Sequence, residues 1–264
     1  MTLVEPIATF LIGILSGVLS VLAGGGVTVV LPVLLALGLT ADQANATSRF
    51  NLTVGAIIAT LILIRKKNVD WKATSPLLVA SLIGAVAGAW LGTKVHSDVM
   101  LAVIVLTSVV SMILVYVRPN RWLSTAHADA VLPERVGALI YFLLCFYGGI
   151  VAVDSAILRL IVLVLLLGMP LSKANPIKIV TGLVLFAISS AIYGDAGKVN
   201  WAVAAWLAGG TAVGSFVASG YAASDQARKL VYLLLQISVT IETLLLLAQW
   251  LGFTSLRFQG TVSP

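Results

Sequence analysis

Charged residues are scarce in this chain of 264 residues: 10% are charged, 60% are hydrophobic, and the mean hydropathy is +1.09. A soluble domain carries roughly 25% charged residues, because they cover its water-facing surface. The hydrophobic residues form long runs, including 52–64, 77–91, 100–117 and 230–251. Runs near twenty residues match the ~30 Å apolar core of a bilayer, whereas an outer-membrane barrel would alternate apolar and polar residues. We therefore predict an all-α integral membrane protein, a polytopic helical bundle.

Cysteine and histidine are almost absent. The single cysteine, Cys145, lies in an apolar run and has no partner for an internal disulfide. The two histidines, His96 and His127, both lie near predicted loops, so we expect no histidine-based metal site. The nucleophile-elbow, zinc-protease and phosphate-loop patterns do not occur in the sequence. We expect no catalytic residues, no metal and no cofactor, and hence a protein that is not an enzyme.

Basic residues outnumber acidic ones, giving a net charge of +6. They flank the apolar runs: 65–67 follow one run, Arg118, Arg121 and Arg135 lie in a central polar stretch, and 228–229 precede the last run. This distribution is the positive-inside signal of membrane proteins rather than the basic patch of a nucleic-acid binder. We expect the lipid bilayer as partner, no nucleic acid, and a multi-pass location in a bacterial cytoplasmic (inner) membrane.

The two halves of the sequence resemble each other. Four landmarks recur 130 positions apart: Gly38 as Gly168, Ala44-Asn45 as Ala174-Asn175, Val69-Asp70-Trp71 as Val199-Asn200-Trp201, and Gly84 as Gly214. A constant offset without a gap indicates an internal duplication. We assign 1–117 to a first membrane repeat, 118–134 to a connecting loop and 135–264 to a second repeat.

The charges of equivalent loops predict that the repeats are inverted. The basic loop at 65–67 belongs in the cytoplasm, whereas its equivalent at 194–200 has one lysine against one aspartate, which suits the outside. Inverted repeats are a common plan of secondary transporters.

Small residues at every fourth position mark close helix contacts. They are Gly13 and Gly17, then Gly84, Gly88 and Gly92, then Gly210, Gly214 and Ala218. We favour packing within the chain, with a homodimer through these glycine-rich faces as the alternative.

A glycine triplet provides the first candidate site. Gly24, Gly25 and Gly26 separate one apolar run from a short helical piece that contains Pro32. Each glycine costs about 1 kcal/mol in a helix interior, so a broken helix is expected. Broken backbone at membrane depth lines a cavity or is buried, and the next helix directs its N-terminal N–H groups there, which suits an anion. A simple kink is the alternative.

Two charged residues in the second half provide the next candidates. At the position equivalent to the triplet stands Asp154, and Arg159 follows within an otherwise apolar run. Charges at membrane depth cost at least about 2.5–3.5 kcal/mol, so they face the protein interior. The two either neutralise each other, or Asp154 carries a transported proton while Arg159 contacts the anion.

A third candidate set opens the two helices that follow the short pieces. Arg49 and Lys178 occupy nearly equivalent positions and together would bracket an anion, unless both reach out to the lipid headgroups. Nearby hydroxyls and amides would add hydrogen bonds: Asn45, Thr47, Ser48, Asn51 and Asn175.

The order and doubling of these motifs resemble the TauE/SafE family of sulfite and organosulfonate exporters, also called the four-toluene-sulfonate uptake permease family. The resemblance runs from about Gly13 to Ala223. It rests on Ala23–Gly26, Pro32, Gly38, Ala44-x-Ala46-Thr47-Ser48, Val69-Asp70-Trp71, Gly84, Gly88, Gly168, Lys178, Val199-x-Trp201 and Gly214. The second half lacks the glycine triplet, which departs from the usual pattern around Asp154.

The resemblance implies transport of sulfite, thiosulfate, sulfoacetate or a similar anion, usually as export. The residues themselves predict a secondary transporter with a cationic site near the membrane midplane, worked by alternating access. An anion channel needs the same cations but a continuous pore, and it is the first alternative. A non-transport membrane scaffold is a more distant one, because a scaffold does not need buried cations.

Overall fold

The computed structural model describes residues 4–117, 119–124, 132–222, 224 and 228–250. Arg118, His127 and the rest of 125–131 in the connecting loop lie outside these residues. The described part of the first half forms six helices. They are α1 (Val4–Leu22), α2 (Gly26–Ala36), α3 (Ala41–Arg65), α4 (Trp71–Gly92), α5 (Ser97–Tyr116) and the short α6 (Pro119–Leu123).

The second half repeats the first five helices in the same order. They are α7 (Glu134–Ile150), α8 (Ser155–Ile161), α9 (Leu171–Asp195), α10 (Trp201–Ser219) and α11 (Arg228–Trp250). A π-helical turn, Val162–Leu166, extends α8 to nearly the length of α2. The described residues contain no strand, so the predicted all-α fold is confirmed.

The backbone carries the 130-residue offset in detail. The bounds of α3 and α9 differ by that offset at both ends. The described residues with positive φ also form pairs at the same offset. These pairs are Gly24 with Asp154, Gly38 with Gly168, and Lys67 with Gly197. Left-handed backbone is rare outside glycine, so three matched pairs indicate one chain path used twice.

The equivalent helices α3 and α9 run in opposite directions. Asp42 lies in the first turn of α3, and it forms an ion pair of 3.0 Å with Lys198, which follows the end of α9. Asn45 near the start of α3 likewise contacts Tyr193 near the end of α9. A two-fold axis along the membrane normal would make equivalent helices parallel. The antiparallel pair therefore confirms inverted repeats.

Two of the repeated landmarks are helix boundaries. Asp70 and Asn200 are the N-caps of α4 and α10, where each side chain accepts a hydrogen bond of 3.2 Å from the backbone N–H three residues later. Aspartate and asparagine are favoured there because they satisfy an orphan donor of the first turn. Gly38 adopts a φ of +88° just after α2, the conformation that ends many helices.

Helices of each half pack against helices of the other half, so the two halves do not form separate bundles. Helix α1 packs along α10 and α4 packs along α7, which are equivalent pairs. Glycines form both contacts: Gly13 and Gly17 face the backbone of α10, and Gly88 faces the backbone of Phe146 on α7. The small-residue faces are therefore packed within the chain, which was the favoured interpretation.

Six described helices are long and apolar enough to cross a membrane: α3, α4, α5, α9, α10 and α11. Their outer surfaces are aliphatic and carry half-exposed tryptophans, among them Trp71 and Trp201 at the first residues of α4 and α10. Tryptophan is favoured at the membrane–water boundary. The chain is therefore a multi-pass membrane protein, and its spanning helices carry an apolar outer surface.

The α4–α7 contact gives a direct test. We expect Gly88→Leu to lower the free energy of unfolding by at least about 2 kcal/mol, because the new side chain would meet the α7 backbone. Ala87→Leu is the matched control, since Ala87 is exposed on the same helix. Thermal unfolding in detergent measures both, and equal stabilities would contradict the contact.

Candidate functional site

The candidate site begins at two helix breaks near the centre of the bundle. Helix α1 ends at Leu22 and α2 begins at Gly26, with Gly24 between them at a φ of +86°. The break between α7 and α8 is equivalent, and there Asp154 adopts a φ of +56°. Aspartate tolerates left-handed backbone better than most residues. The second half therefore keeps the bend without the glycine triplet and adds a carboxyl group to it.

Each broken helix is capped by a cation from the other half. Lys178 on α9 donates from Nζ to the carbonyl oxygens of Ser20 (3.0 Å) and Val21 (3.4 Å) at the end of α1. Arg49 on α3 donates to the carbonyl oxygens of Gly148 (2.9 Å) and Ile150 (2.8 Å) at the end of α7. The last carbonyls of a helix lack partners and carry partial negative charge, so a buried cation is favourable there.

The paired asparagines complete these caps. Asn45 donates to the carbonyl oxygen of Ile150 at 3.0 Å and accepts from the N–H of Ala152 at 2.8 Å. Asn175 donates to the carbonyl oxygens of Val21 at 3.0 Å and Ala222 at 2.8 Å. The Ala-Asn landmarks of both repeats thus hold broken backbone together, which explains their recurrence without a ligand.

A small cavity of about 30 Å³ lies beside these caps, between the two halves. It has room for about one water on this measure. Its lining is made of Ser20, Val21, Gly24, Val27, Leu52, Gly55, Ala56, Ala59, Ala152, Ala156, Arg159, Lys178, Ile179, Gly182 and Phe186. The two charged members are both cations, and no acidic residue is among them.

Arg159 has unused hydrogen-bonding capacity in this cavity. Its Nε donates to the carbonyl oxygen of Ser155 at 3.1 Å, and its Nη1 lies 3.3 Å from the Thr181 hydroxyl. Its Nη2 has no partner among the described residues, and neither has the Ser20 hydroxyl. A buried donor without a partner costs about 1–3 kcal/mol, so both groups are prepared for an acceptor.

The structure therefore brings together part of the predicted site. Gly24, Arg159 and Lys178 line the cavity. Arg49 lies at the end of α7 and does not line it, and its guanidinium stacks on Tyr193 with 4.4 Å to the ring centroid. Arg49 and Lys178 are both buried, so neither reaches the lipid headgroups.

The remaining predicted residues serve contacts elsewhere. The Thr47 hydroxyl accepts from the N–H of Asn200 at 3.1 Å, and the Ser48 hydroxyl donates to the Asn45 carbonyl at 3.0 Å. Asn51 donates to the hydroxyls of Ser16 and Thr211, on α1 and α10. Gly25 and Gly26 belong to the same break as Gly24 but are absent from the cavity lining.

Asp154 and Arg159 do not neutralise each other. Both carboxylate oxygens of Asp154 lack a hydrogen-bond partner among the described residues, and no ion pair joins the two side chains. Asp154 instead faces Glu242 of α11, which is also fully buried. The sequence prediction missed Glu242, although an acidic residue within the apolar run 230–251 is the signal that identified Asp154.

Ser20 and Gly182 were also missed. A β-carbon at Gly182 would lie 3.4 Å from Nη2 of Arg159, so glycine leaves that group room in the cavity. Neither residue carries a sequence signal of its own, because a serine and a glycine in an apolar helix are ordinary. Their role follows from where α1 and α9 meet.

Inverted repeats, two broken helices and a buried cationic cavity define a multi-pass membrane transporter. The sequence pattern described as "Sulfite exporter TauE/SafE" matches residues 9–241, and the chain belongs to this family. The chain is 27% identical over 252 residues to the "Probable membrane transporter protein ORF9" of Sinorhizobium sp, covering 92% of this chain and 95% of that protein.

A second relative matches a shorter region. The "Probable membrane transporter protein YfcA" of Escherichia coli strain K12 is 32% identical over 91 residues, which is 34% of each chain. No solved structure matches the chain.

The break after α1 makes a stability prediction. We expect Gly24→Ala to destabilise by about 1 kcal/mol more than Gly38→Ala. Both positions have positive φ, but a β-carbon at Gly24 would lie 3.2 Å from the β-carbon of Ala156, whereas Gly38 faces open space. Adding Ala156→Gly to Gly24→Ala should remove this extra loss of stability. Thermal unfolding of the wild type, the two single variants and the double variant measures the effect. An equal loss at both glycines would be inconsistent with this contact.

Proposed function

We propose that this protein is a secondary transporter that exports a small sulfur-containing anion, such as sulfite, thiosulfate or an organosulfonate. The observation that carries the proposal is the cavity between the repeats, where Arg159 and Lys178 meet with no carboxylate in the lining. A guanidinium offers fixed N–H donors that suit an oxyanion, and the unpartnered Nη2 of Arg159 provides one of them.

The ammonium of Lys178 adds a second contact. It carries three N–H donors, and the two carbonyl oxygens at the end of α1 take two of them. The third N–H and the Ser20 hydroxyl remain for the anion. The three oxygens of a sulfonate or sulfite group would then bridge α1, α8 and α9.

The other wall of the cavity suits the organic part of a sulfonate. Gly55, Ala56 and Ala59 on α3 are small, and Phe186 on α9 is aromatic and buried. Such a wall has no polar group to pair with a second charge. We therefore propose preference for inorganic oxyanions and short sulfonates over dicarboxylates.

Alternating access explains how an anion enters so small a space. The side chains of Arg159 and Lys178 are 0% and 2% exposed, so the repeats must separate before either cation can contact a solute. Inverted repeats that rock about a central site provide this motion. The enclosure of both cations favours a carrier over a channel, which needs a continuous pore.

The membrane potential suffices to drive export. A cytoplasmic membrane is negative inside, and moving one charge through 100 mV yields about 2.3 kcal/mol. An anion released on the outside therefore needs no further energy source. We propose that the protein lies in the bacterial cytoplasmic membrane, because that membrane provides the potential and because the family is one of exporters.

Binding of thiosulfate, sulfite, sulfoacetate and taurine to the purified protein tests the proposal by thermal shift. A ligand at about 100 times its dissociation constant should stabilise the fold by about 2.7 kcal/mol. We expect Arg159→Gln and Lys178→Met to weaken binding at least tenfold, since hydrogen bonds to charged groups contribute about 1.5–3 kcal/mol.

Two further variants serve as controls. Lys173→Met removes a lysine from the exposed side of α9 and should leave binding unchanged. Arg49→Gln should lower stability through the lost α7 cap, with little change in affinity. Normal binding by the Arg159 and Lys178 variants would exclude this cavity, and no response of the wild type to any anion would exclude the substrate class.

A further inference from the structure

A second buried polar cluster lies apart from the anion cavity, among α2, α5, α8 and α11. Its centre is the carboxyl pair Asp154 and Glu242, which are 3% and 0% exposed. Asp154 faces the side chains of Ser108 and Ser111 on α5 as well as Glu242. The Thr28 hydroxyl on α2 donates to Oε2 of Glu242. None of these residues lines the anion cavity.

Most of the polar atoms in this cluster have no hydrogen-bond partner among the described residues. They are both carboxylate oxygens of Asp154, Oε1 of Glu242, and the hydroxyls of Ser108 and Ser111. Both serines are fully buried, and they approach Asp154 from a different helix than Glu242 does. Buried polar atoms are normally paired, and these unpartnered atoms face one another, so a small bound species such as a proton would let them pair.

The charges that face the pair limit what this species can be. Tyr147 on α7 is a further titratable group that faces both carboxyls, and its hydroxyl lies 2.7 Å from the Thr107 hydroxyl and 3.1 Å from the carbonyl oxygen of Val153. α2 and α5 contribute neutral hydroxyls, and no lysine or arginine forms an ion pair with either carboxylate in the described chain. Two adjacent carboxylates cannot both stay ionised away from water, because each repels the other and loses its hydration.

We propose that Asp154 and Glu242 form a proton-binding site, separate from the anion cavity, whose occupancy is linked to anion binding. One carboxyl donates its proton to the other, and Ser108, Ser111 and Thr28 supply hydrogen bonds to the remaining oxygens. The pair then titrates as a unit rather than as two independent groups.

The backbone at Asp154 supports a dedicated role for its carboxyl group. The equivalent residue in the first repeat is Gly24, which has the same left-handed conformation and no side chain. Strain of this kind persists where the surroundings hold it, and it concentrates at functional positions. The bend requires no aspartate, so the carboxyl serves something other than the chain path.

Two short segments join the proton site to the anion cavity. Asp154 precedes the first residue of α8, and Arg159 on the same helix lines the cavity. In the first repeat Gly24 lines the cavity and Thr28 on α2 contacts Glu242. Protonation removes negative charge at a point about 7.5 Å from Arg159 along the axis of α8, at 1.5 Å per residue. An anion should therefore bind more tightly when the pair is protonated.

Infrared spectroscopy of the full protein in lipid tests the proton site without any substrate. We expect a carboxylic-acid C=O band at neutral pH that Asp154→Asn and Glu242→Gln each remove or shift. Asp195→Asn, which changes an exposed carboxyl at the end of α9, should leave the band intact. An unchanged band in both cluster variants would overturn the proton site.

A replacement variant and an ion exchange complete the infrared test. If Asp154→Asn does not fold, Asp154→Gly replaces it, because Gly24 shows that this bend accepts glycine. Exchange of Na⁺ for choline should not alter the band, and a band that disappears on adding Na⁺ would assign the cluster to sodium instead.

The link between the sites rests on the proposed function, so it has its own test. Thiosulfate is a dianion throughout the mildly acidic to mildly alkaline range, and its affinity for the wild type should rise at least about fivefold toward acidic pH. In Asp154→Asn and in Glu242→Gln, the affinity for thiosulfate should stay the same across that pH range. An unaltered pH dependence in them would overturn the link, whereas failure of thiosulfate to bind would count against the anion site and leave the infrared result standing.

Discussion

The structure depends on the capping of two interrupted helices by cations from the opposite repeat. Helices α1 and α7 end inside the bundle, where no following turn of the same helix donates hydrogen bonds to their last carbonyl groups. Lys178 and Asn175 satisfy the first set, and Arg49 and Asn45 satisfy the second. Because each cap comes from the other half, neither repeat is complete alone in a membrane.

The cap also creates the candidate site. Lys178 is drawn into the centre by the α1 carbonyls, and Arg159 lies beside it without a carboxylate to neutralise either charge. The two repeats differ here. Arg49 of the first repeat caps α7, and the first repeat contributes no cation to the cavity lining. The second repeat contributes both cations of the lining, Arg159 and Lys178. The pseudo-symmetric frame therefore holds an asymmetric site. The same asymmetry places a carboxyl group at Asp154 and glycine at Gly24, on one shared backbone conformation.

Much of the frame could be predicted from the sequence. The 130-residue offset, the helix order and the inverted arrangement follow from Gly38 and Gly168, the Val-x-Trp pairs and the charge of two loops. These signals are local, since a glycine ends a helix through its own φ and an aspartate caps one through the next turn. The candidate site was predicted less well. Arg49 was expected beside Lys178, whereas the structure assigns it to the α7 cap, and Glu242 and Ser20 were missed.

The sequence by itself determined the class of protein, the duplication and the positions of the helix breaks, because hydrophobic length, spacing and turn residues act over a few neighbouring residues. Tertiary structure alone decided which buried charges meet. Asp154 and Arg159 are five residues apart, yet the first faces α5 and α11 while the second faces the cavity beside α9. Glu242 is 88 residues from Asp154 and adjoins it in space. Such pairings depend on how inverted halves interlock, and that is fixed by packing across the whole bundle.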